Sequence, residues 1–279
     1  MNKNTLSGTG LSLKRDFLDD YLECKPEQLS FIEVAPENWM TMGGELGEKF
    51  AHVAKSSHVV LHGLSLSLGG PEALDEYFLH RVHSFMQEHQ IEIYTEHLSY
   101  CSDDGHLYDL MPIPFTQEAV NHVVDRIKKV QDITGKQFAI ENISYYAAPM
   151  QKIPEIDFLN AIIEKSDCQL LLDINNVYVN SINHCYDAFD FIKQIPEQRI
   201  VYCHIAGHYQ EDVDLIIDTH GADIVDPVWQ LLQQTYECYG ALPTLLERDF
   251  NIPPLKQLLL EVDKIADYQK KYGKQAYAA

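Results

Sequence analysis

Six apolar runs in this chain end in a histidine, an aspartate or a glutamate. They are Val59-Val60-Leu61-His62, Ile93-Tyr94-Thr95-Glu96-His97, Ala139-Ile140-Glu141, Leu170-Leu171-Leu172-Asp173, Val201-Tyr202-Cys203-His204 and Thr244-Leu245-Leu246-Glu247. Short apolar runs bounded by turn residues read as buried strands. A core that only needs to be filled has no reason to finish so many strands with metal-ligand residue types. The expectation is that these termini converge on one site.

The runs belong to a longer alternation. Strands are expected over 8–13, 31–35, 58–64, 91–98, 137–143, 169–174, 200–205 and 242–247. Helices are expected over 15–24, 45–56, 71–89, 116–135, 154–166, 186–195, 226–239 and 254–272. Pro71 is placed in a first helical turn, which tolerates proline, and Asp226-Pro227 reads as another helix start. Strands alternating with helices imply a parallel sheet. Eight such units in 279 residues imply one (β/α)8 barrel, an α/β fold that takes about 250 residues, as a single domain over 1–279. Two stretches, 99–115 and 206–218, read as long loops, the kind that carry function.

In such a barrel the active site lies at the C-terminal ends of the strands, and the ionisable residues sit at that end here. Strand alternation turns Glu141 inward with Ala139, and Asn142 toward the helix layer or a loop. By the same count Asp173 and His204 face the barrel axis. Crowded carboxylates repel one another and are poorly solvated, and cations relieve both problems. Imidazole and carboxylate suit iron, zinc or manganese. The candidate ligands are His62, His97, Glu141, Asp173, His204, Asp218, His220 and Glu247, with Asn176 as a further candidate. That is too many for one ion, so two or three are expected. His97 is preferred to its neighbour Glu96 for the inward face. Glu33 and Glu37 read as supporting or simply acidic residues. Arg248 is the competing partner for Glu141 or Asp173. His52, His80, His83, His89 and His122 fall on predicted helices and are expected to face solvent.

The formal net charge of −21 argues against a nucleic-acid backbone as partner and favours a solvated acidic surface or a cationic peptide. The cysteines at 24, 101, 168, 185, 203 and 238 form no CxxC pair and read as reduced thiols. No signal-peptide core stands in Met1 to Leu6, and no run approaches the ~20 apolar residues of a membrane span. The expectation is a soluble, cytoplasmic protein.

Several segments together resemble a known family. Phe31-Ile32-Glu33-Val34-Ala35-Pro36-Glu37-Asn38-Trp39, His62-Gly63-Leu64-Ser65-Leu66-Ser67, Thr95-Glu96-His97-Leu98-Ser99 and Glu141-Asn142 are similar to the multinuclear non-haem iron-dependent oxidases. So are Leu172-Asp173-Ile174-Asn175-Asn176, His204-Ile205-Ala206-Gly207-His208, Asp218-Thr219-His220-Gly221 and Glu247-Arg248-Asp249. The resemblance runs in order from about residue 8 to 260. It implies a barrel of the xylose-isomerase-like group holding two or three iron ions, with dioxygen as co-substrate. It implies oxidation of cysteine in a ribosomally made precursor peptide, giving oxazolone–thioamide or thiooxazole products. It also implies a small partner protein that engages the peptide leader. By position, His62, His97, Glu141, Asp173, His204, Asp218, His220 and Glu247 become iron ligands, with Glu141 or Asp173 bridging ions and acting as the catalytic carboxylates. Loops 99–115 and 206–218 are expected to flank the peptide path. The alternative is a divalent-metal hydrolase or isomerase on the same barrel.

Overall fold

The computed structural model describes residues 6–103, 105–136 and 138–273, with Tyr108 by its backbone alone. The expectations that touch Met1 to Thr5, Asp104 and Gln137 lie outside the described residues. The strands are β1 (Thr9–Ser12), β2 (Leu29–Val34), β3 (Val59–Gly63), β4 (Tyr94–His97), β5 (Tyr100–Ser102), β6 (His106–Met111), β7 (Phe138–Glu141), β8 (Gln169–Asp173), β9 (Ile200–Ile205), β10 (Tyr209–Asp212), β11 (Leu215–Ile217) and β12 (Thr244–Leu246). The helices are α1 (Leu18–Cys24), α2 (Pro36–Trp39), α3 (Gly44–Ser56), α4 (Glu76–His89), α5 (Gln117–Thr134), α6 (Glu155–Ser166), α7 (Ile174–Asn183), α8 (Ala188–Ile192), α9 (Asp226–Tyr239) and α10 (Leu255–Gly273). Eight of the strands form a closed barrel in the order β1-β12-β9-β8-β7-β4-β3-β2. The expected (β/α)8 fold is therefore present. Strands such as β3 and β9 are buried along their whole length, as parallel strands covered on both faces must be.

Backbone packing divides the chain into two compact units. One, residues 34–171, holds β3, β4 and β7 with α2 to α6. Its longest helix shows why the pattern was readable. Val120, Val123, Val124, Ile127 and Val130 recur every three or four residues and are all buried. The Thr116 side chain caps the start by accepting from Ala119 N at 3.1 Å, and Gly135 ends the helix at φ 64°. The start of α4 differs from expectation. Asp75, not the turn at Pro71, begins it, because its carboxylate accepts from Phe78 N at 2.9 Å. Stretch 99–115 also differs, since β5 and β6 pair within it as an antiparallel hairpin.

The other unit, residues 6–33 and 172–273 of the described chain, holds β1, β9 and β12 with α1 and α7 to α10. Here α7 follows β8 with no intervening loop, where the sequence suggested helix only from 186. Stretch 206–218 contains a second hairpin, β10–β11. Both hairpins were missed because strands of three to six residues leave almost no periodicity.

Candidate metal centre

In the unit of residues 34–171, β4 and β7 end in His97 and Glu141, and His62 is the last residue but one of β3. The three ligand-type atoms form a nearly equilateral triangle. His62 Nε2 lies 3.2 Å from His97 Nε2 and 3.1 Å from Glu141 Oε2, and His97 Nε2 lies 3.2 Å from that same oxygen. Ligand atoms ~2.0–2.2 Å from a first-row ion stand about 3.0–3.5 Å apart, so this triangle has the size of one coordination face. His97 is the most exposed of the three, at 15% against 4% and 2%, so the triangle is reached from its side.

Thr95 fixes the state of His62. Its hydroxyl donates to Leu61 O at 3.2 Å, so the same oxygen must accept, at 2.7 Å, from His62 Nδ1–H. That leaves the Nε2 lone pair aimed at the triangle, as a metal-binding imidazole requires. On the opposite strand face, Tyr94 donates to Glu96 Oε1 at 2.5 Å. Burial, with the Glu37 carboxylate adding to it, pushes Glu96 up to about 8 despite the tyrosine. Gly63 makes room for this carboxyl, since a Cβ there would lie 1.9 Å from Glu96 Oε1. Glu37 Oε1 accepts from Leu64 N, Ser65 N and Ser65 Oγ at 2.8–3.0 Å and so fastens the loop after β3.

In the other unit, Asp173, His204 and Glu247 come together at the ends of β8, β9 and β12. Asp173 divides its carboxylate. Oδ1 caps α7 by accepting from Asn176 N at 2.6 Å, while Oδ2 stands 3.8 Å from both His204 Nδ1 and His220 Nε2. Asn176 is thereby held, buried, in the first turn of α7. His204 Nε2 meets Glu33 Oε2 at 2.8 Å, and Tyr202 donates to the same oxygen at 2.6 Å. A carboxylate only accepts, so His204 carries a proton on Nε2, and its other ring nitrogen, Nδ1, stands 2.8 Å from Glu247 Oε2.

Glu247 Oε2 also lies 3.0 Å from His220 Nδ1, so one carboxylate oxygen serves two histidines. His220 Nε2 meets Asp218 Oδ1 at 2.9 Å, and Asp249 stands 3.5 Å from His220 Nδ1 with Lys14 at 2.5 Å behind it. Burial works against charge on His220, but Asp218 and Glu247 outweigh it and hold its pKa well above an ordinary imidazole. Burial would likewise raise Glu247, yet His204 and His220 hold it well below the usual carboxylate range. His220, Glu247 and Asp249 form a second group with metal-ligand spacing, sharing Glu247 with the first.

Every sequence-expected ligand thus lies in or against one of these clusters. The supporting residues were the part undervalued. Glu33 orients His204, Asp249 joins His220, and Asn175 bridges Asp218 and His208, accepting from His208 Nδ1 at 2.8 Å and donating to Asp218 at 3.0 Å. The signal for Glu33 was its place at the end of β2, which the sequence did show. Arg248 pairs with Glu261 at 2.9 Å and Asp223 at 3.3 Å, not with Glu141 or Asp173. Not all helical histidines face solvent. His83 donates to Thr134 O at 2.9 Å, His89 packs on the Phe50 and Phe85 rings, and His122 reaches Gly70 O at 2.9 Å.

The fold is shared with solved structures of low identity. A D-psicose 3-epimerase from Clostridium cellulolyticum H10 superposes at a TM-score of 0.64 with 10% identity, covering 96% of this chain and 99% of its own. A xylose isomerase domain protein from Planctomyces limnophilus gives 0.62 with 12% identity, covering 95% and 97%. Sequence relatives are much nearer. A UPF0276 protein of Shewanella sediminis is 56% identical over 93% of this chain and 94% of its own length. One of Pseudomonas aeruginosa is 47% identical over 98% and 96%. The family described as RiPP precursor modification enzyme MbnB/TglH/ChrH matches residues 8–270. A match over nearly the entire chain places this protein in that family of enzymes that modify ribosomally synthesised precursor peptides.

Proposed function

We propose that the protein is a multinuclear iron oxidase that uses dioxygen to modify cysteine residues of a ribosomally made precursor peptide. The observation that carries this reading is the triangle of His62, His97 and Glu141. Two histidines and one carboxylate on one face, with further positions open, is the ligand set of non-haem ferrous oxygenases. Membership of a precursor-peptide-modifying family supplies the substrate class. The groups around Glu247 support more than one ion, because that carboxylate is common to His204 and His220.

Iron held by these residues would supply electrons for dioxygen and lower the pKa of a thiol that reached it. The rest is done by the chain. Thr95 holds His62 in the tautomer that presents a lone pair, and Glu33 orients His204. Asp173 cannot swing, because one of its oxygens caps α7. Asp218 and Glu247 hold a proton on His220 that metal binding must displace. Glu141 and Asp173 are the carboxylates proposed to act in catalysis, and Asn176 is proposed as an added ligand from α7. The substrate is expected to be a cysteine-containing peptide delivered with a small partner protein that binds its leader, in the cytoplasm.

The test is anaerobic purification, iron reconstitution, and incubation with any cysteine-containing peptide, and any small protein, found encoded beside the gene. Loss of hydrogen from the peptide by mass spectrometry, with oxygen consumption, is the expected result. A second reading, a divalent-metal isomerase or hydrolase, is favoured by the mixed Asp173, His204, His220 and Glu247 set, which also suits manganese or zinc. Activity with either of those metals alone and no oxygen uptake would decide for it.

A further inference from the structure

The hairpin β10–β11 rises from the His220 group on two feet. His208 immediately precedes β10 and Asp218 immediately follows β11. Both are tied to the one Asn175 side chain, at 2.8 and 3.0 Å. The position of the hairpin is therefore set by residues that touch the candidate metal centre, since Asp218 also meets His220 at 2.9 Å.

Its two edges are not equivalent. The register pairs Gln210 with Ile216 and Tyr209 with Ile217. Asn183, at the end of α7, spends both halves of its amide on Ile216. Nδ2 donates to Ile216 O and Oδ1 accepts from Ile216 N, each at 2.9 Å. Both backbone groups of Ile216 thus point away from β10. In an antiparallel ladder that makes Gln210 and Ile216 a pair without mutual hydrogen bonds, so the N–H and C=O of Gln210 point outward too, on the other edge. The edge of β11 is closed by Asn183. The edge of β10 is open: all four of its residues are exposed, and among the described residues it pairs with β11 alone.

Charge selects what can lie there. Glu211, Asp212 and Asp214 stand on the hairpin with no lysine or arginine in 208–218. A second copy of this edge would bring like charges face to face, which disfavours self-pairing. A strand rich in lysine or arginine meets the opposite condition. Exposed Tyr209 and Val213 offer apolar surface to its alternate side chains. The register of β10 shifts between Gln210 and Asp212, so a segment pairs with the regular edge at Tyr209–Gln210 and ends beside His208 and the His220 group.

We infer that β10 is a strand-addition site for an extended, basic segment of the peptide substrate, paired through the Gln210 backbone and held by Glu211, Asp212 and Asp214. That the segment belongs to the substrate rests on the peptide-oxidase reading; the open edge does not. Strand addition of this kind draws affinity from main-chain hydrogen bonds and specificity from alternate side chains.

The probe is a fluorescein-labelled peptide of about ten residues alternating lysine and valine, read by anisotropy at ~0.15 M salt against its glutamate counterpart. Gln210→Pro removes the outward N–H without touching a bond to β11, and it should weaken binding at least about fivefold, the loss of roughly one hydrogen bond. Gln210→Ala keeps the N–H and should bind like the parent. Reversing Glu211, Asp212 and Asp214 to lysine should abolish binding, while Asp19→Asn with Asp20→Asn on α1 should change nothing. Hydrogen exchange at the Gln210 amide of the unaltered protein should slow when the probe is added, a readout independent of any variant's folding. Equal binding by Gln210→Pro, unchanged Gln210 exchange, or no binding by the parent overturns the inference. With the cysteine peptide, the same proline and lysine variants should raise KM and leave kcat unchanged. Normal turnover with KM unmoved sinks strand addition and leaves the oxidase reading intact. Probe binding through Gln210 with no oxidation of any cysteine peptide does the reverse.

Discussion

In each cluster the residues that decide the chemistry are those that touch the candidate ligands from behind. Thr95 accepts from His62 Nδ1 while donating to Leu61 O, and Glu33 does the corresponding work for His204. Removing such a partner typically costs about 10–100-fold in metal affinity. Thr95→Val is therefore expected to weaken one equivalent of iron by that factor and leave the rest bound, as read by competition with a chromophoric chelator. Glu33→Gln should weaken an ion held by His204 and spare the His62 group. Glu96 gives a different prediction. Its folded pKa, about 8, lies above the unfolded value, so the unfolded chain loses this proton first as pH rises. The folded state should lose stability between about pH 4.5 and 8 on that account, by an amount on the order of a few kcal/mol. Glu96→Gln keeps an acceptor for Tyr94 and carries no charge. Its melting temperature should exceed the parent's at pH 8.5 and match it near pH 5, by calorimetry; no difference between the two pH values would refute the assignment.

Among the elements, helix starts hold the strand ends in place. Asp173 is both a candidate ligand and the cap of α7, so its replacement carries two costs that can be separated. Asp173→Asn keeps the capping oxygen, and asparagine caps about as well as aspartate. It should fold with near-parental stability and lose metal, whereas Asp173→Ala should also lose about 1 kcal/mol from the missing cap. Equal melting temperatures for the two metal-free variants would show that the cap contributes nothing. Where sequence failed at this scale, the failures share a cause. The Asp75 cap outranked Pro71, because one accepted hydrogen bond says more about a helix start than a tolerated proline. The hairpins and α7 went unseen because short or immediately successive elements lack a period to detect.

At the scale of the whole molecule, a metal ion bound at the proposed centre would compete with protons for one folded state. A ligand that binds only the folded chain stabilises it by about 4 kcal/mol at a thousandfold excess over Kd, on the order of 10 °C for a chain of this size. Chelation of the iron-loaded protein should therefore lower the melting temperature by that order. The loss should be larger at pH 8 than at pH 6. Asp218 and Glu247 keep His220 protonated in the absence of metal, so metal binding there releases a proton and strengthens about tenfold per pH unit until the pH passes the His220 pKa. Among the described residues no helix is long and apolar enough to cross a membrane. The net charge of −21 suits a basic peptide partner, whose binding should weaken with added salt. What the sequence determined by itself was the fold and which ionisable residues stand at the strand ends. Eight apolar runs alternating with helical periods admit one architecture, and strand alternation turned Glu141 inward and Asn142 away without any coordinates. What only the tertiary structure decided were the relations between strands. Glu33 behind His204, Glu247 between two histidines and Asn183 closing one edge of a hairpin join residues up to 171 positions apart in the chain. A hydrogen bond across such a separation leaves no trace in local pattern, because periodicity reports which face a residue takes and never which residue it will meet there.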